Sequence, residues 1–251
     1  MPRFFVSPEQ IKAGRVTITG PDVVHIVKVL RLGTGATLTV LDGRGKVYEA
    51  VVEQVGREEV ICAVIAESQA KGTPPIRITL VQGLPKGDKM DLIVQKATEL
   101  GVWRLIPLAC DRSVVKLVGD KPQRRSERWQ RIAREAAKQC RRPDVPEVLP
   151  PVGWEDVLAG MPDGVAALIP WEEENLESLK KVLGESGPME DVYVFIGPEG
   201  GFTTAEVELA RSRGIRPVTL GPRILRTETA GLAVLAIILY QFGDLGGKLD
   251  G

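Results

Sequence analysis

The sequence has few of the residues on which disulfide-rich and zinc-binding proteins depend. Its three cysteines, Cys62, Cys110 and Cys140, stand far apart, and no two of them form a C-x-x-C pair. This spacing argues against a zinc site or a disulfide framework, and it is typical of proteins in a reducing cytoplasm. We therefore expect the chain of 251 residues to form a large apolar core that needs no metal.

Long apolar runs and an overall basic excess are also missing. The stretch MPRFFVSPEQ at 1–10 lacks the apolar run of a secretion signal, and the most apolar segment, 230–240, is too short to span a bilayer. These features predict a cytoplasmic protein without a membrane anchor. The 33 basic residues are balanced by 33 acidic ones, so the net positive charge that is usual in nucleic-acid-binding proteins is absent.

The charge is nevertheless unevenly distributed along the chain. Basic residues gather within 116–142 and acidic residues within 172–191, so an anionic partner would meet a local patch. Five of the basic side chains fall near one stripe at helical spacing: Arg124, Arg128, Arg131, Lys138 and Arg142. Such a stripe would bind phosphate groups without reading a base sequence, although an ordinary solvated helix face would look the same.

Two domains are predicted from the change of pattern along the chain. Alternating apolar residues in the first seventy positions, as in 37–42, indicate a small barrel of neighbouring strands. The segment KGTPP at 71–75 predicts a linker, because its two prolines cannot join the interior of a sheet. We therefore predict one domain over 1–72 and a second over 73–251.

Strand and helix patterns alternate beyond the linker, which predicts an α/β domain whose parallel sheet is covered on both faces. The predicted strands are 76–84, 102–110, 165–170, 192–197 and 216–221. The predicted helices are 88–100, 126–140, about 172–183, 203–213 and about 228–242. The last helix is apolar on nearly all sides, so we expect it to be buried in the core or against another chain.

Two of the later strands end in similar loops, VFIGPEGG at 194–201 and VTLGPRILRTETAGL at 218–232. Glycine allows a ligand to approach the backbone closely, and ligands of α/β sheets bind beyond the carboxyl ends of the strands. Either loop alone could be an ordinary tight turn. Neither matches the dinucleotide or the phosphate-loop fingerprint, which weakens the alternative of a nucleotide-binding enzyme.

Taken together, the two loops resemble the paired signature of the RsmE family, GPEGG-[FL]-[ST]-x-x-E followed by LGPRILRTETA. This family belongs to the SPOUT superfamily and methylates ribosomal RNA. Other stretches extend the resemblance over nearly the whole chain: RFFV, HIVKVLRLGTG, DGRG, KGDKMDLIVQKATELGV and AAKQCRRPDVPE. The resemblance implies an N-terminal PUA-like β-barrel and a C-terminal parallel-sheet SPOUT domain with a deep trefoil knot.

The resemblance also implies a cofactor, S-adenosylmethionine, held in a bent shape by the knot loops. Adenine would lie against the backbone of the LGPRIL loop, the GPEGG glycines would admit the ribose and methionine portions, and Pro170 would form a wall. The implied cofactor residues are Ile169, Pro170, Gly197, Glu199, Gly200, Leu220, Gly221, Ile224, Leu225, Arg226, Thr229 and Ala230.

The implied reaction is methyl transfer to N3 of one uridine in small-subunit (16S) ribosomal RNA. That nitrogen must lose a proton before it can attack. Arg226 is our candidate for stabilising the uridine anion, and its alternative role is a salt bridge to Glu199 or Glu228. Glu199 is a candidate base, although pinning the loop through backbone donors is an alternative role. Thr227 and Thr229 are expected to cap the final helix.

The implied partners are ribosomal RNA, free or in the assembled small subunit, and a second copy of the chain. His25, Lys28 and Arg31 in the N-terminal domain could touch phosphate together with the basic stripe. For His25 alone, a packed or surface histidine is the preferred interpretation. Two functional alternatives stay open: methylation of another RNA site, and an RNA-binding module that has lost the reaction.

Overall fold

The computed structural model describes residues 1–69, 74–113 and 121–247. The described residues form two compact units, one of 1–69 with 137–145 and the other of 74–136 with 146–247. The predicted domain boundary and most of the KGTPP linker lie outside the described residues. The inclusion of 137–145 in the first unit was not anticipated from the sequence.

The first unit is built on a mixed sheet of six strands in the order β1-β4-β5-β6-β3-β2. The strands are β1 (Arg3–Phe5), β2 (Ile11–Lys12), β3 (Arg15–Thr19), β4 (Thr37–Leu41), β5 (Lys46–Val55) and β6 (Glu59–Gln69). Only β1 and β4 run parallel in this sheet, and the other pairs are antiparallel. The sheet surrounds an apolar core that includes Ile18, Leu38 and Val40, each at most 1% exposed.

A short helical segment connects β3 to β4. It begins as one α-helical turn, α1 (Pro21–Val24), and continues as a π-helix over His25–Val29. Ile26 is buried on its inner side, whereas His25 and Lys28 are exposed. Such π-helical turns are uncommon and often occur at functional sites.

The second unit contains a six-stranded sheet in which every pairing is parallel, as the alternating pattern predicts. Its strands are β7 (Arg77–Gly83), β8 (Arg104–Leu108), β9 (Glu147–Val148), β10 (Ala166–Pro170), β11 (Asp191–Ile196) and β12 (Arg216–Val218). Its helices are α2 (Lys89–Leu100), α3 (Lys121–Cys140), α4 (Trp154–Gly160), α5 (Leu179–Glu185), α6 (Thr204–Ser212) and α7 (Thr227–Phe242).

The strand order, β12-β10-β11-β7-β8-β9, places the later strands on the opposite side of β7 from β8 and β9. The chain therefore runs outward to β9 and then crosses back over β7. Loops that leave β7, β10, β11 and β12 gather at the carboxyl ends of these neighbouring strands. Ligands of α/β sheets bind beside the point at which the strand order reverses, outside the carboxyl ends of the strands.

Helices cover both faces of the parallel sheet. On one face, Val81, Ile169 and Phe195 pack against residues of α4 and α6. On the other face, α7 packs against α2, β7 and β11. The trefoil knot stays a prediction of the family resemblance.

The helix predicted at 172–183 begins later, at Leu179, and the residues before it form a loop. The carboxylate of Glu174 accepts hydrogen bonds from the backbone nitrogens of Leu176 (2.7 Å) and Glu177 (3.2 Å), and it pairs with Arg211. These bonds stabilise a turn that competes with a helix, and Ser178 then caps α5 through Lys181 N. The acidic segment 172–178 therefore forms a loop, and the prediction that the helix begins at about 172 is wrong.

The final helix is only partly buried in the single chain. Val234, Leu235, Ile238 and Leu239 are fully enclosed. Tyr240, however, is 72% exposed, and Ile237 is 45% exposed. The apolar character that predicted complete burial is thus divided between a core face and an open face. None of the helices in the described ranges has the length and hydropathy needed to cross a bilayer.

Candidate functional site

The candidate site begins where the turn after β11 crosses the end of β7. A side chain at Gly83 would place its Cβ only 2.6 Å from Pro198 Cδ and 2.7 Å from Pro198 N. Within the same turn, a Cβ on Gly197 would lie 3.0 Å from the carbonyl carbon of Gly201. Glycine is therefore required at these positions by close backbone approach, and the GPEGG turn is held tightly folded.

A hydrogen bond joins the two signature loops directly. Thr227, the first residue of α7, donates its hydroxyl proton to the carbonyl oxygen of Gly197 at 2.6 Å. Below it, the side-chain amide of Gln82 donates to the Thr227 oxygen at 2.8 Å. The expectation that Thr227 and Thr229 cap this helix is wrong, because Arg226 is the N-cap residue and makes no side-chain cap bond.

The carboxylate of Glu199 is fixed by neighbours from the loop between β7 and α2. The backbone nitrogen of Lys86 donates to both carboxylate oxygens, at 3.1 and 3.3 Å. The Lys89 ammonium lies 2.9 Å from Glu199 and 3.4 Å from Glu228, so one lysine serves two carboxylates. The hydrogen bond to Glu199, above the effect of Glu228, raises the pKa of Lys89, which keeps it charged.

The electrostatic setting of Glu199 favours a structural role. Partial burial alone would raise the pKa of this carboxyl, but the hydrogen bonds from Lys89 and from backbone amides lower it below its usual value. A general base works best when its pKa lies near the operating pH. Glu199 is therefore better suited to pinning the GPEGG turn than to removing a proton.

Arg226 has an open position at the end of the second loop. Its side chain is exposed, and the described residues give it no ion pair. The alternative that it pairs with Glu199 or Glu228 is not what the structure shows, since Lys89 faces both carboxylates. The guanidinium is consequently available to a ligand.

The remaining predicted cofactor residues of the second loop lie around a turn at Gly221, whose φ is 101°. Ile224 is 84% exposed although it is large and apolar, and Leu220 and Leu225 are half-buried beside it. Thr229 is exposed, and Ala230 is nearly buried on the first turn of α7. An exposed apolar side chain beside a free backbone suits a flat, apolar ligand group.

The loop after β10 contributes less than the resemblance implies. Ile169 is fully buried and packs in the core with Phe195, so its side chain does not face the loops. Only its backbone could contact a ligand, and its place in the cofactor site stays a prediction. Pro170 is half-buried, and the next residue, Trp171, donates its backbone proton to Val218 O at 3.1 Å.

Arg112, which sequence reasoning missed, holds the GPEGG turn from its other side, and Glu206, the last residue of the first signature, holds the start of α6. The Arg112 guanidinium donates to the carbonyl oxygen of Gly200 at 2.7 Å. Glu206 is 4% exposed; it caps α6 through Thr203 and also accepts bonds from Asp111 N (3.0 Å) and Trp154 Nε1 (2.9 Å). The T-x-x-E spacing at 203–206 signals the capping box, but no local pattern points to Arg112.

The basic stripe is partly neutralised within the chain. Arg128 pairs with Asp91 and lies 3.6 Å from Asp88. Arg142 is 8% exposed beside Asp144, so burial withdraws its guanidinium from a phosphate, contrary to our expectation. Lys138 pairs with Asp22 at 3.3 Å. Two exposed side chains of the stripe have no ion pair among the described residues: Arg124 and Arg131.

The three residues of the first unit that were predicted to contact RNA phosphate lie in one short segment. His25, Lys28 and Arg31 are all exposed, and Arg31 has a left-handed φ of 51°. The His25 ring makes an edge contact with Phe4 at 6.1 Å between centroids, so it is a surface histidine that rests on the core. No set of His, Cys, Asp or Glu within the described ranges is arranged to hold a metal ion.

Comparisons with known proteins agree with this arrangement. The family described as the RNA methyltransferase domain matches residues 73–239, and the RNA methyltransferase PUA domain matches 18–65. The Ribosomal RNA small subunit methyltransferase E of Bacillus subtilis is 37% identical, covering 98% of this chain and 99% of that protein. The protein of the same name from Synechocystis sp. is 36% identical over 94% of this chain and 76% of its own length.

A solved structure shares the fold. The Ribosomal RNA small subunit methyltransferase E from Neisseria gonorrhoeae, bound to S-adenosyl methionine, has a TM-score of 0.82 and 34% identity over 97% of this chain and 99% of its own. The fold and the loops thus define an RNA methyltransferase domain preceded by a PUA domain. The chain belongs to the ribosomal RNA small subunit methyltransferase E family, or RsmE family, as its signature loops predict.

The ion pair of Glu199 predicts a specific pH dependence of stability. Because the folded-state pKa of Glu199 is lowered, its contribution is present above the usual value of 4.5 and is lost as the pH falls through the folded pKa. Glu199→Gln should lower the free energy of unfolding by about 1 kcal/mol at pH 7. The difference from wild type should disappear in acid.

Chemical denaturation between pH 3 and pH 7 measures this difference. Glu155→Gln, which changes an exposed carboxylate on α4, is the matched control and should track wild type throughout. A Glu199→Gln variant with an unchanged free energy of unfolding at pH 7 would contradict the pinning role.

Proposed function

We propose that this protein transfers the methyl group of S-adenosylmethionine to N3 of a uridine in small-subunit ribosomal RNA. The observation that carries the proposal is the direct bond between the two signature loops, from Thr227 to Gly197, at the carboxyl ends of β11 and β12. The names of the relatives and the cofactor in the Neisseria gonorrhoeae structure support it.

The residues of the loops fit such a cofactor. Gly221, where an added Cβ would meet nothing within 4 Å, leaves the backbone open, and the exposed Ile224 provides an apolar surface for a purine. Lys89 faces two carboxylates, so it is poorly placed to bind a polyphosphate. When bound, the cofactor supplies an electrophilic methyl group on a sulfonium.

The protein must prepare the uridine for this reaction. At neutral pH the N3 atom carries a proton, which must leave as N3 bonds to the methyl carbon and the carbon–sulfur bond breaks. A guanidinium placed at the uridine carbonyl oxygens would stabilise the negative charge that develops there. Arg226 is exposed beside the cofactor loop and meets this requirement, whereas Glu199 is engaged by Lys89 and Lys86.

The RNA surface is proposed from the basic residues that remain exposed. In the second unit these are Arg124 and Arg131, together with Arg128 if phosphate displaces its carboxylate partners. In the first unit they are Lys28 and Arg31, with His25 beside them. The substrate would be ribosomal RNA, free or within the small subunit, and the place of action the cytoplasm.

The reaction is tested with isotope-labelled S-adenosylmethionine and two substrates, deproteinised 16S ribosomal RNA and intact small subunits. We expect label in one uridine, with the methyl group on N3, as mapped by nuclease digestion and mass spectrometry. A methyl group on another atom or base would favour the alternative of a different RNA site. Cofactor and RNA binding without any transfer would favour a module that has lost the reaction.

The role of Arg226 is tested by substitution. Arg226→Ala should lower the single-turnover methylation rate by about a hundredfold or more, because a preorganised donor is lost. Its cofactor affinity and melting temperature should change little, since the side chain is exposed and makes no described ion pair. Arg226→Lys should restore only part of the rate, because an ammonium lacks the planar fork.

Arg223, another exposed arginine of the same loop, provides the matched control. Arg223→Ala should retain a near-wild-type rate if the effect belongs to Arg226 and not to loop charge in general. A wild-type rate for Arg226→Ala would remove this residue from the mechanism.

A homodimer is proposed from the open face of α7. Ile237 and Tyr240 leave apolar surface exposed on the helix whose other side forms the core. Sedimentation of the wild-type protein should give twice the mass of 27.3 kDa. Ile237→Asp should shift the equilibrium toward the monomer, whereas Leu209→Asp, at an exposed leucine on α6, should not. A wild-type protein that sediments as a monomer would contradict the proposal.

A further inference from the structure

A polar side chain is buried where the fold would be expected to use an apolar one. Gln82 lies near the end of β7, paired with Ile196 of β11, and it is 0% exposed. Its neighbours along the strand, Leu80 and Val81, are equally buried and aliphatic. Burial of an amide costs free energy unless its hydrogen bonds are made, so this position requires a reason beyond packing.

The hydrogen bonds of Gln82 have a fixed direction. Its side-chain nitrogen donates to Gly83 O at 3.0 Å, and a carbonyl oxygen can only accept. The same nitrogen donates to Thr227 Oγ1 at 2.8 Å. The single hydroxyl proton of Thr227 is therefore directed to Gly197 O at 2.6 Å. The chain of bonds runs from Gln82 through Thr227 to Gly197.

These bonds connect three segments that are distant in sequence. Gln82 belongs to β7, Gly197 opens the GPEGG turn, and Thr227 closes the LGPRILR loop. Both polar side chains are withdrawn from the open side of the loops, since Thr227 is only 6% exposed. Their effect would therefore reach a ligand through the backbone at Gly197.

We infer that Gln82 and Thr227 are positioning residues that hold the Gly197 carbonyl, and with it the GPEGG turn, in register with the second loop for cofactor binding. The inference rests on the proposed cofactor site and names the buried contact that sets its shape. Removal of the Thr227 hydroxyl leaves the Gly197 carbonyl without its donor, so the direct hydrogen bond between the two loops is lost.

The test compares two variants of nearly equal size. Thr227→Val keeps the shape but removes the hydroxyl, whereas Thr227→Ser keeps the hydroxyl. By calorimetry, Thr227→Val should weaken S-adenosylmethionine binding about tenfold, as expected for one buried hydrogen bond, and Thr227→Ser should remain close to wild type. RNA affinity, measured without cofactor, should not change in either variant.

A purely structural role gives a different result. Thr227→Val would then melt at a lower temperature but bind the cofactor normally at temperatures where it is folded, and the inference would be overturned. In steady-state assays, the inference requires a raised KM for S-adenosylmethionine with kcat largely retained at saturation. If the wild-type protein itself fails to bind S-adenosylmethionine, the proposed function fails first and the inference falls with it.

A second variant and a measurement on the wild-type protein test the inference even if Thr227→Val does not fold. Gln82→Met removes the amide, and its effect on cofactor affinity should be strongly non-additive with Thr227→Val, because both act through one chain of bonds. In native hydrogen exchange of the wild-type protein, the hydrogen-bonded amides of Gly201 in the first loop and of Thr229 and Ala230 beside the second should open together. Independent opening of the two loops would overturn the inference.

Discussion

The close crossing of two backbones at Gly83 and Pro198 is the constraint on which the site depends. No side chain fits between them, since a Cβ at Gly83 would meet the proline nitrogen at 2.7 Å. The crossing brings the amide of Lys86 against Glu199 and places Gln82 directly below Thr227. A glycine at the end of β7 therefore determines where the GPEGG turn and its carboxylate lie.

One cation organises the charges beside this crossing. Lys89 neutralises Glu199 and Glu228 together, which prevents either carboxylate from pairing with Arg226. The arginine is left exposed at the N-terminus of α7. The site thus separates the carboxylates that hold the loops from the exposed guanidinium of Arg226.

Much of this arrangement could be predicted from sequence because it depends on local pattern. Alternating strand and helix signals indicated the parallel sheet, and the signature loops indicated the family. Interactions between distant residues gave no such signal. Arg128 and its partner Asp91 lie on different helices. Lys89 and its partner Glu228 also lie on different helices. A stripe of arginines on a helix therefore indicated more free charge than the folded chain presents.

Competition from another hydrogen-bond partner explains two other differences from prediction. The acidic run before α5 reads as helix, but Glu174 bonds to backbone amides of its own turn and stops the helix from starting. Thr227 reads as a cap at the start of a helix, yet its hydroxyl is used by Gly197 across the sheet. In both cases the side chain makes a different hydrogen bond from the one that its sequence position predicts.

The return of 137–145 to the first unit affects the order in which the protein can fold. Phe5 and Leu41 pack with Ala137, and the backbone of Gly43 bridges to Asp144, so part of this core is supplied by residues far along the chain. All six strands of the first sheet leave the ribosome before those residues do. The first unit must therefore wait, with two large apolar side chains uncovered, until roughly a third of the second has been synthesised. A fragment cut at the linker would remain in that incomplete state permanently.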